Sequence, residues 1–318
     1  MTKSFLTIGE PMAVFSADEP DVSLEAAKHF TRYIAGAELN VAIGLARLKH
    51  QATYLTALGE DPFGVSIKQE IKDNQINTQY IETMTDYWTG FYLKQRVTTG
   101  DPAVYFYRKN SAAAHFNQQI IEQVDFSQVG LIHLSGIMAG ISRNGLVAVQ
   151  KLFEKAQANQ ITTTFDPNIR KPLWSSEEKM ITTLNALAKE ATIILPGINE
   201  GELLMGSRDP KAIADFYLHQ SDITQTVIVK LGPAGAYIQT KAGESITVSG
   251  YHVAHVVDTV GAGDGFAVGL ISSLLEGLSL PDAAKRACAI GALAVQSAGD
   301  SEGYPTNDQL KQFMEAQK

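Results

Sequence analysis

The stretch "DTVGAGDGF", residues 258–266, places three glycines and two carboxylates within nine residues, and the apolar run "AVGLISSLLEG" follows it directly. Glycine adopts backbone angles that other residues avoid, and it lets a ligand approach the backbone closely. The first N–H groups of a helix have no partner within the helix and carry partial positive charge. We therefore predict that a tight turn opens a helix at this point and binds an anion.

Asp264 is the carboxylate at the start of this predicted helix. From there it is placed to accept a proton from an attacking hydroxyl while the turn holds a phosphoryl group. The alternative is that Asp264 only caps the helix and the glycines only form the turn. Two other phosphate-binding motifs do not fit, because no Lys-Ser or Lys-Thr follows the glycines and the stretch lies too late in the chain for a dinucleotide fingerprint.

The rest of the chain alternates short strand-like runs with helix-like runs. "FLTIG", "ITTTFD" and "TVIVKLG" are rich in β-branched and apolar residues, whereas "AELNVAIGLARLKH" has the spacing of a helix. This alternation predicts an α/β fold with three layers, in which helices cover both faces of a mostly parallel sheet. Such sheets bind their ligands beyond the carboxyl ends of the strands.

Residues 10–35 and 87–109 interrupt this alternation. Both segments alternate aromatic or β-branched residues with polar ones and contain Gly, Asp and Pro turns. No change of composition and no low-complexity linker sets them apart. We predict that they form a small β-sheet, inserted as a lid into a single domain of residues 1–318.

Composition narrows the classes of protein to which the chain can belong. It has 318 residues, 45% of them apolar, which suits one large α/β domain. A net charge of −8 without a basic cluster argues against nucleic acid as a partner. No apolar run reaches about 18 residues and "MTKSFLTIGEP" lacks signal-peptide features, so we expect a cytoplasmic protein with no membrane partner. Cys288, the single cysteine, is predicted to be buried in a helix.

Three motifs, taken in chain order, resemble the signatures of the ribokinase-like, or PfkB, carbohydrate kinases. They are "AGAELNVAIGLARL" at 35–48, "LGEDPFG" at 58–64 and "DTVGAGDGF" at 258–266. The resemblance extends over essentially the whole chain and implies the ribokinase-like fold. It also implies that Asp264 is the catalytic base, and that the turn of Gly261, Ala262 and Gly263 is the anion hole for the transferred phosphoryl group.

The same resemblance implies a site for ATP and Mg²⁺. Asn199 and Glu202 in "INEGELL" match an Asn-x-x-Glu motif that helps to place magnesium and phosphates, Glu202 indirectly; a simple helix-start motif is the alternative. Asp258 matches a loop that binds a monovalent cation, here K⁺, together with the backbone of residues 297–299. The other implied nucleotide-binding residues, with Cys288 as a wall beside the adenine, are Asn168, Lys230, Gly232, Gly235 and Cys288.

Two arginines point to the acceptor of the phosphoryl group. Arg108 follows "AVYFY" and Arg170 lies in "DPNIRKPLW"; these stretches, with "GEPM" near the start, resemble the 2-keto-3-deoxygluconate kinases within the family. The resemblance implies that both arginines bind the carboxylate end of an acidic sugar, which a guanidinium group matches with paired donors. The alternative is that each is a surface charge whose stem packs on Tyr or Trp.

The remaining implied substrate-lining residues are Gly36, Asn40, Tyr92 and Phe106. Several relatives have Tyr at the position of Phe106, so this chain lacks a hydroxyl contact there. On a regular strand, Tyr105 and Tyr107 face away from Phe106 and Arg108.

The implied reaction is ATP-dependent phosphorylation of the 6-hydroxyl of 2-keto-3-deoxygluconate. Fructokinase, or another sugar kinase of the family, is the alternative enzyme, and a sugar-binding sensor without catalysis is the alternative of another class. Lid strands with an apolar outer face can pair between subunits, so we also expect a homo-oligomer, a dimer or higher, that assembles through the lid.

Overall fold

The computed structural model describes residues 3–100, 102–297 and 299–317. Its strands are β1 Ser4–Ile8, β2 Met12–Pro20, β3 Phe30–Ala35, β4 Ala52–Gly59, β5 Ile81–Met84, β6 Phe91–Arg96, β7 Val104–Tyr107, β8 Val129–Ser135, β9 Thr162–Asp166, β10 Ile193–Ile194, β11 Thr226–Lys230, β12 Ala236–Thr240 and β13 Ser245–Val248. Its helices are α1 Ala37–Arg47, α2 Pro62–Asp73, α3 Gly136–Ile141, α4 Arg143–Ala158, α5 Glu177–Ala188, α6 Ile198–Met205, α7 Pro210–Gln220, α8 Ala262–Leu275, α9 Leu280–Ala294 and α10 Asn307–Ala316.

The central sheet has the strand order β13-β12-β11-β10-β9-β8-β1-β4-β5. Its pairings are parallel from β5 to β11 along this order, and β12 and β13 add an antiparallel edge. In the register at the centre of the sheet, Phe5 lies opposite Ala52 on one side and Leu131 on the other. The prediction of a mostly parallel sheet is therefore confirmed.

Helices cover both faces of this sheet. Consecutive strand residues point to opposite faces, so neighbouring residues lie in different cores. Phe5 and Leu131 belong to one buried core, which also contains side chains of α1, α2, α8, α9 and α10. Their neighbours Leu6 and Ile132 belong to a second core, which contains side chains of α3 to α7. The result is the three-layer α/β/α arrangement that the alternation of elements predicts.

The two segments that interrupt the alternation form a separate four-stranded sheet with the order β3-β2-β6-β7. The outer pairings of this sheet are antiparallel, whereas β2 and β6 pair in parallel. Met12, Val14, Ala35 and Tyr92 form its own small core. We call this sheet the lid.

The carboxyl ends of the parallel strands bring polar residues together at one edge of the central sheet. Glu10 follows β1, whereas Ser135, Asp166 and Lys230 are the last residues of β8, β9 and β11. This is the edge at which a parallel α/β sheet presents its ligand site. None of the helices that the structure describes is both long and apolar enough to span a bilayer.

Candidate active site

A cavity of about 800 Å³ lies between the lid and the carboxyl ends of the central strands. Most site residues predicted from the sequence line it, namely Gly36, Asn40, Tyr92, Phe106, Arg108, Asn168, Arg170, Asn199, Lys230, Gly232, Gly261, Gly263 and Asp264. The predicted residues outside this lining are Glu202, Gly235, Asp258, Ala262 and Cys288. The cavity therefore brings together residues from six separated parts of the chain.

The glycine turn opens α8 as the sequence predicts. Gly261 caps the helix in the left-handed region, with φ of 80°. A Cβ at Gly261 would lie 1.9 Å from the carbonyl oxygen of Asp300, so only glycine fits this position. The N–H of Gly265 donates to the Gly261 carbonyl at 2.7 Å, whereas that of Ala262 makes only a long hydrogen bond of 3.4 Å to Thr259.

Asp264 lies in the first turn of α8 and faces the cavity. Asn40 of α1 donates from Nδ2 to Oδ2 of Asp264 at 2.9 Å. Burial raises the pKa of Asp264 to about 6; the hydrogen bond from Asn40 opposes this rise and the nearby Asp166 carboxylate adds to it. A base with such a pKa is ionised at neutral pH and still binds a proton readily, which suits general base catalysis.

The start of α1 fixes the position of Asn40. Gly36 precedes the helix with φ of 149°, and a Cβ there would lie 2.9 Å from the Glu10 carbonyl oxygen. This close approach of two backbones places the first turn of α1 directly beside the end of β1. Asn40, one turn later and buried, forms its hydrogen bond to Asp264 from this position.

Lys230 and Asp166 form a nearly buried ion pair in the wall of the cavity, with Nζ and Oδ2 2.6 Å apart. Burial lowers the pKa of Lys230, but the Asp166 and Glu200 carboxylates more than offset this, and the pKa is raised. Asn168 lies beside the pair, with its N–H donating to Asp166 at 3.1 Å and its backbone at φ of 37°. The pair fixes the position of the Lys230 ammonium at the end of β11, next to Gly232.

The residues of the Asn-x-x-Glu motif lie in two different environments. Asn199 and Glu200 line the cavity, and Glu200 accepts hydrogen bonds from the N–H groups of Gly197 and Ile169 at 2.7 and 2.9 Å. Glu202 lies outside the lining, exposed, and pairs with Arg208 at 2.7 Å. Arg208 itself lines the cavity, so Glu202 contacts a lining residue, and its role toward magnesium stays a prediction.

Arg108 is held in the roof of the cavity by Glu10. Its Nε donates to Oε2 of Glu10 at 2.7 Å, and the side chains of Arg108 and Glu10 are 10% and 1% exposed. Ser111 also donates to Glu10, and the Arg108 guanidinium lies 5.7 Å from the centre of the Phe106 ring. The guanidinium is thus fixed in orientation, with Phe106 and Arg108 on the cavity side of the lid strand as the alternation predicts.

Arg170 differs from the other cations that line the cavity. Lys94, Arg108, Arg208 and Lys230 each form an ion pair with a carboxylate. Arg170 is exposed, and its one hydrogen bond among the described residues is a 3.3 Å contact with the Ile169 carbonyl. Within that part of the chain it is the lining cation without a carboxylate partner.

Several lining residues were not predicted from the sequence. Lys94 of β6 pairs with Asp258 at 2.8 Å. Asp300, which comes late in the chain, lines the cavity near Asp264. Burial and the neighbouring Asp264 carboxylate raise the pKa of Asp300 to about 7. Asp300 itself belongs to no predicted motif, although residues 297–299 before it belong to the predicted cation loop. Glu10 had a signal, because it lies in the "GEPM" stretch.

The predicted residues outside the lining have other surroundings. Cys288 is buried in α9, as predicted, and burial raises the pKa of its thiol to about 11. Gly235 has φ of 105°, and a Cβ there would lie 2.0 Å from the Val248 carbonyl, so it serves the hairpin between β11 and β12. The roles of both toward the nucleotide stay predictions. Residue 298 of the predicted cation loop lies outside the described residues.

The family model described as "pfkB family carbohydrate kinase" matches residues 2–307. The chain belongs to the pfkB family of carbohydrate kinases. It is 42% identical over 314 residues to the 2-dehydro-3-deoxygluconokinase of Bacillus subtilis (strain 168), and the match covers 98% of this chain and 96% of that protein. The predicted family and the predicted phosphotransferase class are therefore confirmed.

Solved structures of pfkB-type proteins show the same fold. A PfkB protein from Polaromonas sp. JS666 superposes with a TM-score of 0.88 at 39% identity, over 97% of this chain and 99% of that one. A putative ribokinase II from E. coli, in complex with ATP and Mg²⁺, superposes with a TM-score of 0.90 at 25% identity, over 99% of both chains. The ribokinase-like fold predicted from the three motifs is confirmed.

Proposed function

We propose that this protein is an ATP-dependent kinase that phosphorylates the 6-hydroxyl of 2-dehydro-3-deoxy-D-gluconate, also called 2-keto-3-deoxygluconate. The observation that carries the proposal is Arg170, the lining cation without a carboxylate partner among the described residues, in the same cavity as Asp264. A guanidinium in this state is available for the carboxylate of an acidic sugar. The identity of 42% to the Bacillus subtilis enzyme supports the same substrate.

In this mechanism the sugar binds with its carboxylate toward Arg170 and Arg108 and its 6-hydroxyl toward Asp264. Asp264 accepts the hydroxyl proton as the oxygen forms a bond to the γ-phosphorus of ATP, and the bond from that phosphorus to the bridging oxygen of ADP breaks. The N–H groups at the start of α8 and the ammonium of Lys230 stabilise the negative charge of the transferring phosphoryl group. The lid excludes water, which would otherwise compete with the hydroxyl.

The cavity suits ATP that arrives with Mg²⁺. Among the described residues no cluster of three or more His, Cys, Asp or Glu side chains forms a metal site. Magnesium bound to a nucleotide needs only one or two protein oxygens, because phosphate oxygens and waters supply the rest, and Asn199 lines the cavity in a position to help. When bound, the ion neutralises phosphate charge. The cytoplasmic location predicted from the sequence suits an enzyme that consumes ATP.

A K⁺ ion at the loop of Asp258 is also part of the proposal. Here the Oδ2 atom of Asp258 already pairs with the ammonium of Lys94, and Oδ1 accepts from the N–H of Val260 at 3.0 Å. An added monovalent cation would therefore share this carboxylate with Lys94.

An acceptor profile tests the proposed substrate. With ATP and Mg²⁺, we expect kcat/KM for 2-keto-3-deoxygluconate to exceed that for fructose or ribose by about tenfold or more, because each charged hydrogen bond lost with a neutral ketose costs about 1.5–3 kcal/mol. The measurement is ADP release in a coupled assay, corrected for ADP release without sugar. Preference for fructose would indicate a fructokinase, and turnover on no sugar would favour the sugar-binding sensor.

We also propose that the protein forms a homodimer through the lid. The edge strand β7 of the lid exposes Tyr105 and Tyr107 by 61% and 43%, and neither side chain lines the cavity. Exposed edge strands with apolar side chains are typical of surfaces that pair with another chain.

Light scattering after gel filtration measures this assembly. We expect twice the 34.4 kDa chain mass, or a higher multiple, and a shift toward the monomer on Tyr105→Asp, which places a charge in the proposed interface. Lys189→Asp, an exposed change directly after α5 and outside the lid, is the control. A wild-type monomer at micromolar concentration would disprove this interface.

A further inference from the structure

One ion pair joins the lid directly to the glycine turn. Lys94 of β6 donates from Nζ to Oδ2 of Asp258 at 2.8 Å, across 164 positions of the chain. Both side chains are largely buried, with 19% and 24% exposed. Partial burial of this kind makes an ion pair less screened by salt than a surface pair.

This pair stands between two cavities. Lys94 lines the cavity of Asp264 and also a second cavity, of about 690 Å³, between the lid and residues 256–260. Tyr92, Pro102, Thr259 and Asp300 line both cavities as well, so the two are neighbours. Lys94 thus lies where the two cavities meet, and its partner Asp258 lines the second one.

A hydrogen bond connects the side chain of Asp258 to the turn that starts α8. Its Oδ1 atom accepts from the N–H of Val260 at 3.0 Å, and Gly261 follows directly. On the other side, the N–H of Val257 donates to the Val295 carbonyl at 2.8 Å. A displacement of the Asp258 side chain would therefore also move the N–H groups at the start of α8.

The second tie between the lid and the central sheet lies at a different place. Arg108, just after β7, pairs with Glu10, just after β1. That pair anchors the lid to the edge of the sheet, and among the described residues it forms no hydrogen bond or ion pair with residues 258–264. Lys94 is the lid cation that reaches the turn among the residues the structure describes.

We infer that Lys94 is a positioning residue, which holds the glycine turn through Asp258 and separates the two cavities. The inference rests on the proposed phosphoryl transfer to a sugar, because its main consequence is the choice between sugar and water as acceptor. With the pair in place, the turn is fixed and water from the second cavity is kept from the phosphoryl group. Without it, hydrolysis of ATP competes with transfer.

The variants for the test are Lys94→Met, Asp258→Asn and the double variant. Met keeps the length of the Lys94 stem without the charge, and Asn keeps the acceptor for the Val260 N–H. We expect either single change to lower kcat for the sugar about tenfold and to raise the ratio of ATP hydrolysis to sugar phosphorylation about tenfold, with KM for ATP nearly unchanged. The double variant should be no worse than Asp258→Asn alone, because both changes break the same pair.

Two further variants show whether the charge of Lys94 is what matters. Lys94→Arg keeps the positive charge and should restore most of the coupling to the sugar. Lys28→Met removes an exposed lysine from the loop between β2 and β3, and should leave both kcat and the hydrolysis ratio unchanged. Additive losses in the double variant, or a normal hydrolysis ratio in Lys94→Met, would overturn the inference.

Hydrogen exchange of the ligand-free protein supplies a readout that does not depend on activity. Lys94→Met and Asp258→Asn should each speed exchange at residues 257–262, and Lys28→Met should not. Unchanged exchange in both variants would also overturn the inference. If wild-type protein fails on the acidic sugar while exchange responds as expected, the substrate proposal fails and the positioning role of Lys94 stands.

Discussion

Replacement of Asp264 by Asn is expected to lower kcat by about 10²–10⁴-fold, the range that positioned proton transfer contributes. The amide has nearly the shape of the carboxylate and keeps a contact with Asn40, but it does not accept the hydroxyl proton. The affinity for ATP, measured by calorimetry, should change little. The thermal unfolding midpoint should also change little, because Asp264 lies in the first turn of α8 and belongs to neither hydrophobic core. Near-normal kcat in this variant would reject Asp264 as the base.

The pH dependence of kcat tests the same role in the unmodified protein. Only the ionised carboxylate accepts a proton, and burial raises the pKa of Asp264 to about 6, so kcat should be constant above that pH and fall below it. Asn40→Ala removes a hydrogen bond that stabilises the ionised form, so the midpoint should move to higher pH. A midpoint that stays in place in Asn40→Ala would assign the profile to another group, such as Asp300.

The layers of the fold could be predicted from the sequence because they depend on local periodicity. A strand such as β1 is short and apolar on both faces, and this pattern alone indicates a sheet covered on both sides, as Phe5 and Leu6 confirm by lying in opposite cores. The glycine turn was predictable for a similar reason. The backbone conformation requires glycine at position 261, since its φ of 80° and the close approach of Asp300 exclude any side chain.

The ion pairs of the site could not be predicted in this way. Glu10 with Arg108, Asp166 with Lys230 and Lys94 with Asp258 join residues that lie 98, 64 and 164 positions apart. No local sequence pattern predicts which charged residues form ion pairs across such separations in the chain. The motif "INEGELL" shows the same limit on a smaller scale, because helix geometry, and not the order of residues, decides that Glu200 faces the cavity while Glu202 faces Arg208.

Arg170 is the better of the two predicted acceptor-binding arginines for an experiment on specificity. Loss of Arg108 would leave Glu10 buried without its cation, which typically costs about 3–5 kcal/mol of stability. Arg170 is exposed and holds no carboxylate among the described residues, so its removal creates no such defect. A change at Arg170 therefore reports on the substrate and not on the fold.

Arg170→Met is expected to lower kcat/KM for 2-keto-3-deoxygluconate by roughly 10- to 100-fold, the loss of one charged hydrogen-bonding group at about 1.5–3 kcal/mol. For fructose or ribose, which carry no carboxylate, kcat/KM should change little. Arg170→Lys should fall between the wild type and Arg170→Met, because lysine keeps the charge but lacks the paired donors of guanidinium. The measurement is ADP release with each sugar.

The matched control is Arg143→Met, which removes an exposed arginine at the start of α4, outside the cavity. It should leave kcat/KM for every sugar unchanged. An equal loss on acidic and neutral sugars in Arg170→Met would instead assign Arg170 to the nucleotide or to the transferring phosphoryl group, since both are common to all acceptors. Because Arg170 lies close enough to Asp264 to lower its pKa, the pH midpoint of kcat should also rise in Arg170→Met. This shift should be seen with neutral sugars as well, which separates the electrostatic effect of Arg170 on the base from its contact with the acceptor carboxylate.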